Sequence, residues 1–196
     1  MIFLSLLQNS KMTIKQFLVD ISRVLDELKI EYAVSGGIAV SVWGRPRYTA
    51  DLDIVIEISS KEKIEALTTG LLKKFKTGYL DKETALSAYY EKGEFNLVEP
   101  EYGLKADFFV SDDTEYAKEA MRRRKDKKIG EKMIKFFSPE DLIISKLEWY
   151  QISESDRQLE DIVTVLEAGK IDKKYLEKWL GKLGLEEEYL ELGKLS

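Results

Sequence analysis

The sequence predicts an α+β fold, a mixed β-sheet flanked by helices and followed by a C-terminal helical region. Three observations carry this. Short β-branched runs, such as Leu52-Asp-Ile-Val-Ile-Glu-Ile58, alternate with helical periodicity up to about residue 137. After Ser138-Pro139-Glu140-Asp141 the strand-like runs stop and only helical patterns remain. The chain has 196 residues, enough to bury a core without metal or disulfide support. The expected division is therefore 1–137 for the α/β part and 138–196 for the helical part.

The elements follow in order. Ile14, Phe17, Leu18, Ile21, Val24, Leu25 and Leu28 recur at helical spacing, and Thr13 is placed to cap that helix. A strand is expected at 31–34, then the turn Ser35-Gly36-Gly37, then a short helix over 38–43 that ends at Gly44 before Pro46. A strand at 52–58 leads to a helix over 61–74 with Ser60 as its cap, and a further helix lies near 81–91. Strands at 95–99 and 104–110 are separated by Pro100 and Gly103. A helix over 113–124 ends in a basic run, and 127–129 and 132–136 flank Gly130-Glu131 as a small hairpin. Ser138, Pro139 and the acids after them form a helix start. Helices are expected over 139–150, 155–168, 172–182 and 185–192.

Composition narrows the chemistry. There is no Cys and no His, which excludes disulfides, thiolate or imidazole metal sites, cysteine nucleophiles and Ser-His-Asp triads. Carboxylates, Lys, Arg, Tyr, Ser and Thr remain, and oxygen ligands suit a hard cation such as Mg²⁺. The net charge of -5 gives no general attraction to nucleic acid. Residues 1–7 are apolar, but they are too short to span a bilayer and lack a basic leader. The expectation is a cytoplasmic protein with no membrane partner, and translation starting at Met12 would make residues 1–11 an artefact of gene assignment.

Asp51 and Asp53 stand one residue apart at the start of a strand, so period-two geometry puts both on one face. Taken alone, such a pair reads as a solvated strand end; a cation between the two would relieve their repulsion. Gly36-Gly37 follows a strand and opens a helix, where backbone N–H groups can approach a phosphate; an ordinary turn explains it equally. Asp107 lies inside the apolar strand 104–110, which calls for a partner, unless it shares an exposed face with Lys105.

Taken in order, these motifs resemble the nucleotidyltransferase superfamily, the polymerase-β-like fold. Gly44-Arg45-Pro46-Arg47-Tyr48-Thr49-Ala50-Asp51-Leu52-Asp53, Ser138-Pro139-Glu140-Asp141-Leu142-Ile143-Ile144-Ser145-Lys146-Leu147 and Asp156-Arg157-Gln158-Leu159-Glu160-Asp161-Ile162 resemble its AbiEii-toxin-like branch. The resemblance spans roughly residues 30–168. It implies transfer of a nucleoside monophosphate from an NTP such as ATP to a hydroxyl acceptor: a tRNA or RNA 3′ end, a protein or a small molecule. It also implies two Mg²⁺ ions held by Asp51, Asp53 and Asp107, with Asp107 helping to deprotonate the acceptor. A toxin role would bring an antitoxin partner. A catalytically silent binding protein or antitoxin-like module on the same scaffold is the alternative.

The nucleotide-binding set expected from the resemblance is Ser35, Gly36, Gly37, Arg47, Lys146 and Asp161. Many superfamily members carry Gly-Ser where this chain has Gly36-Gly37, which removes a hydroxyl but keeps the backbone donors. Lys146 falls within the apolar stripe Leu142, Ile143, Leu147 and Tyr150, so it either snorkels or meets an anion. Arg157 and Asp161 are spaced as a surface ion pair, and Arg45 and Arg47 either reach phosphates or balance nearby acids. The run Arg122-Arg123-Arg124-Lys125 with Lys127 and Lys128 either steers an RNA backbone or closes a helix, and it tilts the expected acceptor mildly towards RNA. Trp43, Trp149 and Trp179 are expected in the core.

Overall fold

The alternating residues of the strands divide a single sheet into an apolar face and a polar one. In the computed structural model, residues 12–194 are described; the expectation about residues 1–11 lies outside them. The elements are α1 (Ile14–Glu27), β1 (Glu31–Ser35), α2 (Gly36–Trp43), β2 (Asp51–Glu57), α3 (Lys61–Lys74), α4 (Lys82–Glu91), β3 (Glu94–Glu99), β4 (Leu104–Val110), α5 (Glu115–Arg122), β5 (Lys125–Ile129) and β6 (Lys132–Phe136). The helical region adds α6 (Pro139–Ser153), α7 (Asp156–Ala168), α8 (Lys173–Leu183) and α9 (Glu186–Glu191). The mixed sheet has the order β3-β4-β2-β1-β6-β5. β2 runs parallel to β4 and antiparallel to β1, and β1 meets β6 in parallel at Val34 and Phe136.

Leu52, Ile54 and Ile56 of β2 and Ala106, Phe108 and Val110 of β4 point to the buried side. They share one core with Phe17, Leu18, Ile21 and Leu25 of α1 and Ile64, Leu67 and Leu71 of α3. The same core contains Leu142, Ile143 and Leu147 of α6 and Trp179 of α8. On the other face, Ala120 and Met121 of α5 cover Ala33, Val55 and Phe137. The part of that face near Asp53 and Asp107 stays open.

Capping chemistry fixes most helix starts. The Thr13 hydroxyl accepts from Gln16 N at 3.2 Å, Asp81 accepts from Glu83 and Thr84, and Ser138 accepts from Asp141 N at 3.2 Å. Ser60 precedes α3, but its hydroxyl accepts no N–H of that helix. α2 begins two residues earlier than expected, so the glycines form its first turn. The basic run does not close a longer helix: α5 stops at Arg122, Arg123 and Arg124 make the turn, and β5 starts at Lys125. Gly103 and Gly130 sit in the left-handed region at φ +64° in their two hairpin turns.

Candidate nucleotide and cation site

Asp51 and Asp53 open β2, and β4 runs beside it in register. The Cα partners are Asp51 with Lys105 and Asp53 with Asp107. Asp53 also pairs with Ser35 of β1, and Asp107 with Asn96 of β3. Ser35, Asp53, Asp107 and Asn96 thus form one rung across four strands. Directly opposed residues share a face, so Asp53 and Asp107 project to the same side, and period-two geometry adds Asp51 and Lys105. The reason lies in the strand sequences. Every second residue of β2 and β4 is apolar and buried, which forces the acids outward.

Gly36 explains how Asp53 is held. It has φ +57°, and a Cβ there would lie 1.7 Å from Asp53 Oδ2. The backbone N–H of Gly37 donates to the Asp53 carboxylate. A Cβ on Gly37 would stand 2.8 Å from Arg47 Nη2 and 3.2 Å from Thr49 Oγ1. The Gly-Gly pair therefore makes room for a carboxylate at the first residue and a guanidinium at the second. A serine at position 37 would crowd Arg47.

Burial, with Asp107 and Asp51 adding their charge, raises the Asp53 carboxyl above its usual range; Lys146 and the Gly37 N–H pull it the other way. The Lys105 ammonium lies 2.8 Å from Asp107 Oδ2. Its pKa is raised first by that hydrogen bond, with Asp51 and Asp53 contributing through their charge. Among the described residues no three acidic side chains converge closely enough to cage an ion, and Asp107 is paired with Lys105. The donor set nevertheless suits a hard divalent cation. It consists of carboxylate oxygens alone, and it already holds one positive group as a stand-in.

A second cluster flanks the glycines. Asp161 of α7 is 5% exposed and Lys146 of α6 is 8% exposed. Lys146 Nζ lies 2.9 Å from Asp161 Oδ2. Arg47 Nη2 donates to the same oxygen at 3.0 Å, and its Nε stands 2.9 Å from Oδ1. Two cations thus share one buried anion beside Gly37 and Asp53. Arg157 is not Asp161's partner; it is exposed and lines the cleft. Arg45 reaches Glu167 at 2.7 Å on the surface, so it balances an acid instead of facing the cleft.

All the expected site residues, Ser35, Gly36, Gly37, Arg47, Asp51, Asp53, Asp107, Lys146 and Asp161, line one cleft of about 900 Å³. The structure adds Thr49, Asn96, Lys105, Glu148 and Trp149 to its wall. Trp149 departs from the expected core position: it is 43% exposed and meets the ring edge of Phe109. The sequence carried a signal for Lys105 in its two-residue spacing from Asp107, but none for Asn96, which reaches the site only through strand pairing. Trp179 is buried, as expected.

The three arginines of the basic run are committed to the protein's own acids, while Lys125 and Lys128 are exposed. Arg122 forks onto Glu119, Arg123 meets Glu140 at 3.2 Å and stacks over Tyr175, and Arg124 meets Glu31 at 2.8 Å. Lys127 lies over the ring of Trp43. Among the described residues no helix is long and apolar enough to cross a membrane.

No family model and no curated protein matches the sequence. Solved structures do. A nucleotidyltransferase-like antigenic protein from Paracoccidioides brasiliensis is 24% identical with a TM-score of 0.55, over 90% of this chain and 89% of that one. The solution structure of the antibiotic-resistance factor ANT(2'')-Ia gives a TM-score of 0.60 at 15% identity, over 90% and 94%. The lincosamide antibiotic adenylyltransferase LnuA, bound to lincomycin, gives 0.54 at 14%, over 81% and 99%. The chain has the fold these nucleotidyltransferases share.

Proposed function

We propose that this protein transfers a nucleoside monophosphate from an NTP to a hydroxyl acceptor and releases pyrophosphate. The observation that carries the reading is the alignment of Asp53 with Asp107 on adjacent parallel strands, on the open face beside Asp51 and against Gly36-Gly37. Residues so far apart in sequence share a site only because β4 inserts next to β2. A silent binding module on the same fold would leave this clustering of like charges without a use.

In this reading Asp51, Asp53 and Asp107 hold divalent cations, with Mg²⁺ the natural choice and two ions the expected number. A divalent ion, when bound, neutralises charge on the triphosphate and on the departing pyrophosphate. The protein's own groups do the rest. Backbone N–H groups of the Ser35-Gly36-Gly37 turn face the phosphates, and Lys146 and Arg47 supply positive charge beside them. The acceptor oxygen attacks the α-phosphorus, the bond from that phosphorus to the β-phosphate bridging oxygen breaks, and Asp107 takes the hydroxyl proton.

The acceptor favoured by the geometry is a small molecule. The three arginines of the basic run are paired within the protein, which leaves fewer free cations for an RNA backbone, and an exposed aromatic, Trp149, lines the same cleft as the carboxylates. Antibiotic adenylyltransferases among the structural neighbours support the same class. The AbiEii-like motifs Gly44–Asp53 and Ser138–Leu147 support a toxin role for such a transfer, with an antitoxin as partner.

The test is incubation with each α-labelled NTP, Mg²⁺ and a panel of hydroxylated small molecules, total RNA and cell lysate. Label is expected in a small-molecule product, and Asp107→Asn should slow its formation by about 10²–10⁴-fold, the range for loss of a general base. Equal rates in the wild type and in Asp107→Asn would refute the assignment. Label confined to RNA would overturn the choice of acceptor.

A further inference from the structure

Lys105 is a residue the transfer chemistry leaves unused. It is the register partner of Asp51, two residues before Asp107 on the same face. Its ammonium pairs with Asp107 at 2.8 Å, and Asp107 is its one ion-pair partner among the described residues. The Lys105 side chain is 40% exposed, so its four-carbon stem can swing into solvent without unpacking the core. Asp107 is 19% exposed and lies beside Asp53 and Asp51. Three carboxylates on neighbouring positions repel each other, and the ammonium offsets that repulsion as a divalent ion would.

We propose that Lys105 is the resident counter-cation of the carboxylate trio, and that a divalent ion binds by exchange with its ammonium. This rests on the reading that the trio holds divalent cations. The exchange moves no covalent bond: the Lys105–Asp107 ion pair opens, Asp107 turns to the incoming ion, and the ammonium moves to water. Lys105 is then a positioning residue that holds Asp107 in place before the site is loaded and weakens the site's hold on the ion.

Mn²⁺ binding, followed by the electron paramagnetic resonance signal of free Mn²⁺, tests this on the full chain. Lys105→Met and Lys105→Gln should bind Mn²⁺ about fivefold more tightly than the wild type, the factor that matches about 1 kcal/mol for a half-exposed ion pair. Lys105→Arg keeps the charge and should stay near wild-type affinity. In ¹⁵N-lysine-labelled protein, the Lys105 Nζ resonance should move on Mg²⁺ addition, which reads the wild type directly. If the wild type and Lys105→Met bind Mn²⁺ alike, the exchange is wrong while the cation site stands. If neither variant nor wild type binds Mn²⁺, the cation site itself falls and the exchange with it.

Discussion

A methyl group at Gly36 would overlap the Asp53 carboxylate, and the positive φ of that residue already excludes most side chains. This contact makes the glycine and the aspartate one feature, even though 16 residues separate them in the sequence. Asp53 sits there at a cost to the apo protein. Its pKa is raised from 3.8, chiefly by burial. A raised native value means the folded state holds its proton where the unfolded state has released it. Stability therefore falls as pH rises from 3.8 through the native value and stays low above it. Asp53→Asn, which can still accept from the Gly37 N–H, should stabilise the metal-free protein at pH 7, and the gain should fade below about pH 4. Urea unfolding in chelator at both pH values checks this. A destabilised Asp53→Asn at neutral pH would show that Lys146 and Gly37 outweigh burial. At this scale the sequence was informative only in combination: Asp51-Leu52-Asp53 alone reads as a strand end and Gly36-Gly37 alone as an ordinary turn, and their order and spacing single them out. The pairing of Lys105 with Asp107 was visible only as spacing, because spacing states which face two residues share and not which atoms meet.

At the level of elements, α6 and α7 deliver Lys146 and Asp161 to the loop before β2, where Arg47 waits. The helix stripe marked Lys146 as an apolar-face lysine, and the structure supplies its anion, Asp161 at 2.9 Å. Helical spacing pointed Asp161 towards Arg157 instead, since i,i+4 geometry sees only neighbours on one helix. Removing the anion leaves two cations facing each other in a buried pocket. Asp161→Asn should cost about 3 kcal/mol, the scale for breaking a buried ion pair from one side. Inorganic tripolyphosphate should return part of that loss by replacing the missing negative charge, measured as a larger thermal shift in Asp161→Asn than in the wild type. An unchanged stability would mean that Arg47 and Lys146 find water as good a partner. The basic run shows the opposite limit of sequence reading. Its charges are plain in the chain, but Glu119, Glu140 and Glu31 pair its three arginines from three different elements.

For the whole molecule, the mixed sheet, its flanking helices and the helical region after Ser138 were legible because the hydrophobic period changes from two to 3.6 at each boundary. Strand order was not legible from that period, since β4 inserts beside β2 and β6 beside β1 through contacts far apart in sequence. That order makes the site: without the β2–β4 pairing, Asp107 would not face Asp53. The shared core of the sheet with α6 then sets Lys146 on Asp161 at one wall of the same cleft. The most direct measurement of the central claim is an anomalous difference map from crystals soaked in Mn²⁺ and a non-hydrolysable NTP. The account predicts density between Asp53 and Asp107, with the triphosphate running towards Gly37 and Lys146. A nucleotide bound elsewhere, or Mn²⁺ bound away from Asp107, would contradict it.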